Sequence, residues 1–379
     1  MKLINRILLA TDFLQGSEQV VEQGLMLAKA FEAEILPIYV LPPEHLEEKL
    51  RKMIEDAAWS KLNNLRAHIL QQGGKCAKPF LANGLFHDVI VDRAERLDAN
   101  IIVIGAGAKP AGDKHPLGTT AAKIIRQSNK PVWVVKPAAE AQVKNILCPT
   151  DFSAPATLAL KNAIIIARRL GAQLTVLSIN EPFTSRGLLG MKEWQDQLNR
   201  LQTQYDAEFE AYLQDFNWRD VQWQKVLKRG ESVSGILEAI KDFKTDLLIM
   251  GTTGRSGLSK WMMGSVTEKV TREVPCSFIT TKEEDVVRLQ LEAELQDIEM
   301  HYEEARQLTK DGFVDEAIQA YKACLKLSDT HLPAITGLAK LYEIKGNHES
   351  AAIYRKMARD VLDLVWNAKI EEDARRHYK

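Results

Sequence analysis

The 379-residue sequence is poor in the residue patterns that build metal and disulfide sites. Its four cysteines lie far apart and form no Cys-x-x-Cys pair, which excludes a zinc ribbon or a disulfide framework and favours reduced thiols. The eight histidines are scattered, and none belongs to a His-Glu-x-x-His set. We therefore expect no resident catalytic metal.

Long apolar runs and an excess of charge of one sign are also missing. No run approaches the roughly 20 residues that a membrane helix needs, and the stretch 7–10 is too short for a signal sequence. A net charge of -1 provides no general attraction to nucleic acid or to anionic lipid. The sequence predicts a cytoplasmic protein that binds neither nucleic acid nor membrane.

Two widespread catalytic motifs do not occur. There is no Gly-x-x-x-x-Gly-Lys-Ser/Thr sequence, which excludes a standard P-loop ATPase. There is no Gly-x-Ser-x-Gly elbow either, and no general base can be assigned. An enzyme is not expected, beyond at most a weak ATPase.

What the sequence does contain is an internal duplication. Residues 6–13 recur at 145–152, and Gly105 and Gly118 recur 146 positions later as Gly251 and Gly264. In each copy, short apolar runs alternate with helical periodicity, which is typical of a parallel sheet covered on both faces. We predict two tandem doubly wound α/β domains, over residues 1–137 and 144–282, whose ligands lie beyond the carboxyl ends of the strands.

The tail, residues 285–379, is rich in charged helix formers and repeats with a period of 34. Small residues recur at matching places and allow helices to pack closely. The spacing of Gly312, Ala317, Tyr321 and Cys324 resembles that of tetratricopeptide repeats, although His301 and Asp329 replace the usual Trp and Pro. We predict an all-α tail of helical hairpins with a capping helix over 360–379, which would dock a protein partner.

A glycine-spaced loop follows an apolar run in each copy. The second copy reads Gly251-x2-Gly254-x9-Gly264-Ser265 before a predicted helix, a pattern suited to holding phosphates on backbone amides. The alternative is a plain surface loop in which Ser265 and Glu268 form a capping box. The first copy has Ala108 at the second glycine position, so Gly105, Gly118 and Thr119 predict a weaker site or only a structural copy.

An aspartate ends the first predicted strand of each copy. Asp12 and Asp151 could accept hydrogen bonds from a ribose or an adenine amino group. The alternative is a helix cap or an Asx-turn. A stripe of aromatic and leucine residues over 191–216 has helical spacing and is interpreted as core rather than as a cofactor site.

Both copies resemble universal stress protein domains over almost all of 1–282. The resemblance rests on Pro149-Thr-Asp-Phe-Ser153 and on the complete glycine pattern of the second copy. It implies five-stranded parallel sheets of order 3-2-1-4-5 that bind ATP or a related adenine nucleotide. By position, it assigns the nucleoside to Pro149, Thr150, Asp151 and Asn180, and the phosphates to Gly251, Gly254, Gly264, Ser265 and Val266.

The resemblance also implies dimerisation through the fifth strands. The runs 131–135 and 277–281 could pair within one chain as a pseudo-dimer, and a homodimer stays open. We expect an adenine-nucleotide-binding regulator or adaptor, with ATP held mainly in the second copy and Mg²⁺ an optional companion of the nucleotide. The alternatives are an adaptor whose stress domains bind nothing, and a slow ATP hydrolase.

Overall fold

The structure is a computed structural model that describes residues 4–14, 16–42, 48–107, 117–137, 142–181, 191–253, 263–282, 286–328 and 330–377. For 191–198, 286–297 and 363–377 the description is limited to the backbone. The chain divides into two compact units, residues 2–290 and 291–379. Each unit is described by itself.

The first unit contains both copies of the duplication. In the first copy the elements are β1 (Arg6–Ala10), α1 (Ser17–Phe31), β2 (Glu34–Leu41), α2 (Glu48–Gln71), β3 (Lys75–Cys76), β4 (Phe80–Asn83), α3 (Phe86–Arg96), β5 (Ile101–Gly105), α4 (Thr119–Gln127) and β6 (Val132–Val135). In the second they are β7 (Asn145–Thr150), α5 (Ala154–Leu170), β8 (Gln173–Asn180), α6 (Met191–Leu213), β9 (Trp223–Arg229), α7 (Ser232–Asp242), β10 (Leu247–Gly251), α8 (Ser265–Glu273) and β11 (Ser277–Thr281).

Strand order confirms the predicted fold class. The described strands run β3-β2-β1-β5-β6 in the first copy, and β4 also pairs with β2, so the third strand of this copy is interrupted. The second copy runs β9-β8-β7-β10-β11. Within each copy every pairing is parallel. Both orders are 3-2-1-4-5 when the interrupted strand is counted once.

The two sheets meet edge to edge along β6 and β11, which pair antiparallel with Trp133 opposite Ile279. The Trp133 side chain is fully buried, and its indole N–H donates to the Gln23 side-chain oxygen at 2.9 Å. Strands buried on both faces explain the near-continuous apolar runs, because helices cover each side of the sheet. All five residues of β10, for example, are buried.

The second unit consists of helices. After α9 (Val286–Lys310) come α10 (Val314–Leu327), α11 (Leu332–Ile344) and α12 (His348–His377). The turns that follow α9 and α11 repeat 34 residues apart. Gly312 and Gly346 both have positive φ (83° and 74°), and each turn closes with a 2.9 Å backbone bond, Phe313 N–H to Leu308 O and Asn347 N–H to Tyr342 O.

Small side chains let these helices approach closely. Ala305, Ala317 and Ala351 are fully buried, as is Cys324. A Cβ on Gly337 would lie 2.6 to 2.9 Å from ring atoms of Tyr321, so α11 packs directly on that ring. The separate capping helix expected over 360–379 does not form, because α12 continues without a break to His377. No helix within the described ranges has the length and apolar character to cross a membrane.

Candidate functional site

The candidate site lies where the strand order reverses in the second copy. From β7 the chain crosses to β8 on one side and later returns as β10 on the other, and in doubly wound sheets the ligand crevice is expected at such a reversal, here beyond the carboxyl ends of β7 and β10. The structure brings the end of β7, with Thr150 and Asp151, beside the end of β10, with Gly251. Gly254 lies outside the described residues.

Asp151 shapes the turn that leaves β7. Its carboxylate accepts from the Ser153 N–H at 3.1 Å and from the Ser153 hydroxyl at 2.5 Å, and Ser153 in turn caps α5 through the Ala156 N–H. Phe152 between them has a φ of 63°. The Asx-turn hypothesis therefore describes Asp151, and this turn fixes the position of its carboxylate at the mouth of the crevice.

The first copy repeats this turn. The Asp12 carboxylate accepts from the Leu14 N–H at 2.9 Å and from the Ser17 hydroxyl at 3.0 Å. Phe13 has a φ of 55°, close to that of Phe152. A left-handed conformation at a bulky residue is uncommon, and its recurrence in both copies marks a constrained feature of the fold.

The glycine loop of each copy is closed at its base by one short bond. The Gly264 N–H donates to the Thr252 carbonyl at 2.7 Å, and the Gly118 N–H donates to the Ala106 carbonyl at 2.6 Å. The Thr267 hydroxyl, which is buried, adds a 2.9 Å bond to the Gly251 carbonyl. These bonds hold the start of α8 against the end of β10.

The N-terminus of α8 differs from those of its neighbours. Ser153 caps α5 and Glu231 caps α7 with their side chains, whereas the N-cap of α8 is Gly264, which has no side chain, and no described residue caps this helix in its place. The first amides of α8, including those of the exposed Ser265 and the half-buried Val266, are therefore left for an external acceptor.

The alternative of a capping box at Ser265 and Glu268 is wrong. In that capping box Ser265 would be the N-cap and its hydroxyl would accept the Glu268 N–H, but the N-cap is Gly264 and the Glu268 N–H donates to the Gly264 carbonyl at 2.9 Å. The Glu268 carboxylate instead accepts from Arg126 at 2.9 Å and from Arg272 at 2.7 Å.

Gly251 has a packing role that the motif did not indicate. A Cβ at this position would lie 3.0 Å from the backbone carbon and oxygen of Pro155, so α5 rests directly on the end of β10. At Gly105, its counterpart, the nearest atom to such a Cβ is a Val20 methyl at 3.4 Å. Gly251 is thus needed for the close approach of a helix, in addition to its place in the glycine motif.

One glycine of the first copy was missed. The 146-residue offset places Ala108 opposite Gly254, but among the described residues at the start of this loop it is Gly107 that has a left-handed conformation, with a φ of 82°. A Cβ there would lie 3.3 Å from the Gly118 Cα. The sequence Gly105-Ala-Gly107 contains the only signal for it, a second glycine two residues after the strand end.

The remaining residues assigned to the nucleoside lie at the ends of β7 and β8. Asn180 is the last residue of β8, and its carbonyl accepts the Gly230 N–H at 3.2 Å. Pro149 pairs with Leu177 in the sheet, and Thr150 is buried. Val266, which was assigned to the phosphates, is half-buried and packs its side chain on the core.

Aromatic side chains of α6 support the turn at Phe152. The Phe152 ring lies 5.3 Å from Tyr205, 5.4 Å from Phe209 and 5.0 Å from Tyr212, measured between ring centroids. Phe209 is fully buried, which confirms that this part of the stripe is core. Aromatic pairs at such distances add roughly 0.5–1.5 kcal/mol each beyond the area they bury.

The tyrosines also carry hydroxyls that sequence reasoning did not find. Tyr212 accepts from the Thr150 hydroxyl and donates to Thr157, both at 3.2 Å. The Tyr205 hydroxyl lies 2.8 Å from that of Ser178. Burial raises the pKa of Tyr212 to about 12, so this phenol stays neutral at physiological pH. The end of β7 is thus held by a hydrogen-bonded layer beneath the crevice.

Comparisons with known proteins agree with this architecture. A universal stress protein of Methanocaldococcus jannaschii is 27% identical over 139 residues, which is 37% of this chain and 82% of that protein. A second universal stress protein of that organism is 32% identical over 93 residues, 24% of this chain and 57% of that protein.

Among solved structures, a universal stress protein from Archaeoglobus fulgidus shares the fold at 21% identity. Its TM-score is 0.54, and the match covers 73% of this chain and 98% of that one. A functionally unknown protein from Pseudomonas aeruginosa matches at 17% identity with a TM-score of 0.59, over 76% of this chain and 96% of that one. The profile of the universal stress protein family matches residues 4–136 and 142–282, and the chain therefore belongs to that family.

Proposed function

We propose that the second copy binds an adenine nucleotide, with its phosphates on the amides that begin α8. The observation that carries this proposal is the N-terminus of α8, which no side chain of the described residues caps and which begins beside the reversal point of the sheet. The neighbouring helices α5 and α7 are capped, so the anion would bind at α8 rather than at either of them.

The nucleoside would lie along the ends of β7 and β8. In this proposal the Asp151 carboxylate, already oriented by its turn, accepts hydrogen bonds from the ribose, and Asn180 borders the base. Ser265 and Val266 contribute backbone amides, while Gly264, whose own N–H bonds the Thr252 carbonyl, sets the start of the helix. Among the described residues no cluster of three or more His, Cys, Asp or Glu side chains could hold a metal, so any Mg²⁺ would be bound chiefly by the phosphates.

The first copy is proposed as the weaker site. It retains the closed loop base and an α4 N-terminus without a side-chain cap. The N-caps of α1 and α3 also make no side-chain hydrogen bond. A missing cap therefore does not distinguish α4 from α1 and α3 as the anion site of this copy. Together with Ala108 in place of glycine, this favours the second copy as the main nucleotide site.

We further propose that the chain acts as a regulator or adaptor, with its helical tail docking a protein partner. The 34-residue repetition of the tail turns supports a tetratricopeptide-like protein-binding element. The antiparallel pairing of β6 with β11 supports an intramolecular pseudo-dimer, because these two edge strands are then paired without a second chain. Analytical ultracentrifugation of the full chain would show a monomer if this is right.

The nucleotide proposal is tested by titrating the full chain with ATP, ADP, AMP and adenosine in a calorimeter, and by assaying nucleotide released from heated protein. We expect the phosphate-bearing ligands to bind more tightly than adenosine. The double variant Gly254→Val and Ser265→Ala should lose that difference. Absence of binding by every adenine compound would favour an adaptor without nucleotide, and ATP turnover well above that of Asp151→Ala would favour a hydrolase.

A further inference from the structure

The junction between the two copies contains an ion-pair cluster at the start of α8. One carboxylate oxygen of Glu268 accepts from Arg126 of α4 and from Arg272 of α8, at 2.9 and 2.7 Å. Arg126 belongs to the first copy, whereas the other two residues belong to the second. The Lys282 ammonium also crosses the junction and donates to the Arg126 carbonyl at 2.5 Å.

The position of Glu268 on α8 gives this cluster a link to the crevice. Glu268 lies in the first turn, and its amide bonds the Gly264 carbonyl at 2.9 Å. Residues three and four apart share a helix face and are about 5–6 Å apart between Cβ atoms. The carboxylate therefore stands on the same face as Gly264 and Ser265, one turn behind the amides proposed to hold phosphates.

The negative charge of Glu268 disfavours the binding of an anion at the nearby N-terminus of α8. Without compensation, Glu268 would repel a phosphate bound at the N-terminus of α8 and would weaken the nucleotide site. The two guanidinium groups reverse the local charge. The acidic residue behind the helix N-terminus occurs only in the second copy of the duplication. The 146-residue offset aligns Arg126 with Arg272, but it places Ala122 opposite Glu268. The first turn of α4 contains no acidic residue.

We infer that Arg126 is a positioning residue for the nucleotide site of the second copy: supplied across the junction by the first copy, it neutralises Glu268 and so raises the affinity of the site for phosphate. The inference rests on the proposed function. It also assigns a role to the first copy that does not depend on nucleotide binding in its own loop. Stability alone does not explain the pair, because the side chains are 51% and 34% exposed and exposed ion pairs contribute at most about 1 kcal/mol.

The test is a double-mutant cycle that removes the charges, with Arg126→Gln, Glu268→Gln and the double variant titrated with ATP and with adenosine. We expect Arg126→Gln to weaken ATP binding about three- to ten-fold at low ionic strength, and less at 0.5 M salt, because screening removes the repulsion. Adenosine affinity should not change, since adenosine carries no phosphate. In the Glu268→Gln background the Arg126 substitution should have less than a two-fold effect.

Arg96→Gln is the matched control. Arg96 pairs with Asp92 on α3 of the first copy at 2.8 Å and is 70% exposed, so its loss changes the net charge equally without reaching Glu268. Unchanged ATP affinity in Arg126→Gln would overturn the inference, as would a loss that persists in the double variant, which would mean direct contact with the ligand. If the unsubstituted chain binds ATP but the cycle shows no coupling, only this inference fails. If it binds no nucleotide, the proposed function fails with it.

Discussion

A negative charge placed at the first residue of α8 should separate nucleotide binding from stability. Ser265 is exposed and opens a helix whose N-terminus lacks a side-chain cap. In Ser265→Asp the new carboxylate interacts favourably with the helix dipole, by about 0.3–1 kcal/mol. We therefore expect an unchanged or slightly raised melting temperature.

The same carboxylate would stand about 5 Å from a phosphate bound to the first amides of α8. With an effective dielectric constant between about 20 and 80, the repulsion is about 0.8–3 kcal/mol for each pair of unit charges. That energy corresponds to a loss of ATP affinity of about four-fold to 150-fold. Calorimetric titration at 0.1 M salt measures it, and Ser265→Asn provides the uncharged control of similar shape.

Thr119→Asp provides the matched control in the first copy. Thr119 is exposed and opens α4 as Ser265 opens α8. We expect it to leave ATP affinity unchanged within about two-fold, since that copy is the weaker site. Full affinity in Ser265→Asp would refute the placement of the phosphates. A loss seen in Thr119→Asp instead would move the site to the first copy.

Three further predictions concern stability. Gly251→Ala should lower the free energy of unfolding by about 1–3 kcal/mol, because its Cβ would lie 3.0 Å from the α5 backbone. Gly105→Ala should lower it much less, because the atom nearest to its Cβ is 3.4 Å away. Chemical denaturation of the two variants tests the difference. Gly337→Ala should destabilise the tail because the Tyr321 ring must move to make room for the new Cβ. This cost should exceed the roughly 1 kcal/mol by which alanine is favoured over glycine in a helix. Hydrogen exchange of the tail helices measures the effect, and unchanged protection would contradict the prediction. The His331 Nδ1 accepts from the Ala334 N–H in the first turn of α11. Burial lowers the pKa of His331 below its ordinary 6.5, so the unfolded state binds the proton more readily and this cap is lost as pH falls below about 6.5. Exchange of that amide, corrected for its intrinsic rate, should rise between pH 7.5 and 5.5 in the natural chain but not in His331→Asn, and equal slopes would contradict the assignment.

Much of the fold could be predicted from the periodicity of apolar residues in the sequence. Runs such as 101–105 are apolar at every position because helices cover both faces of the sheet, and this pattern does not depend on distant partners. Helix starts followed the same local rules, as at Ser153, whose hydroxyl caps α5. The break of α12 expected near residue 360 was wrong, because nothing in the local sequence ends that helix.

The candidate site could be predicted less well from the sequence, because its residues contact partners that are far away along the chain. Glu268 stands three residues after Ser265, as in a capping box, yet it pairs with Arg126, 142 residues earlier. Gly251 belonged to the glycine motif, but its contact with Pro155 depends on how α5 lies on β10. The hydroxyl layer under Thr150 needs Tyr212, 62 residues away, and no spacing rule connects the two.

By itself, the sequence determined the duplication, the alternation of strands and helices, the glycine loop and the repeat of the tail, because each is encoded by neighbours within a few turns of chain. Only the tertiary structure decided which helix N-terminus stays uncapped beside the crevice, which carboxylate stands behind it, and which arginine of the other copy neutralises that charge. Those features depend on packing two copies against one another along β6 and β11, and a contact of that kind has no local signature.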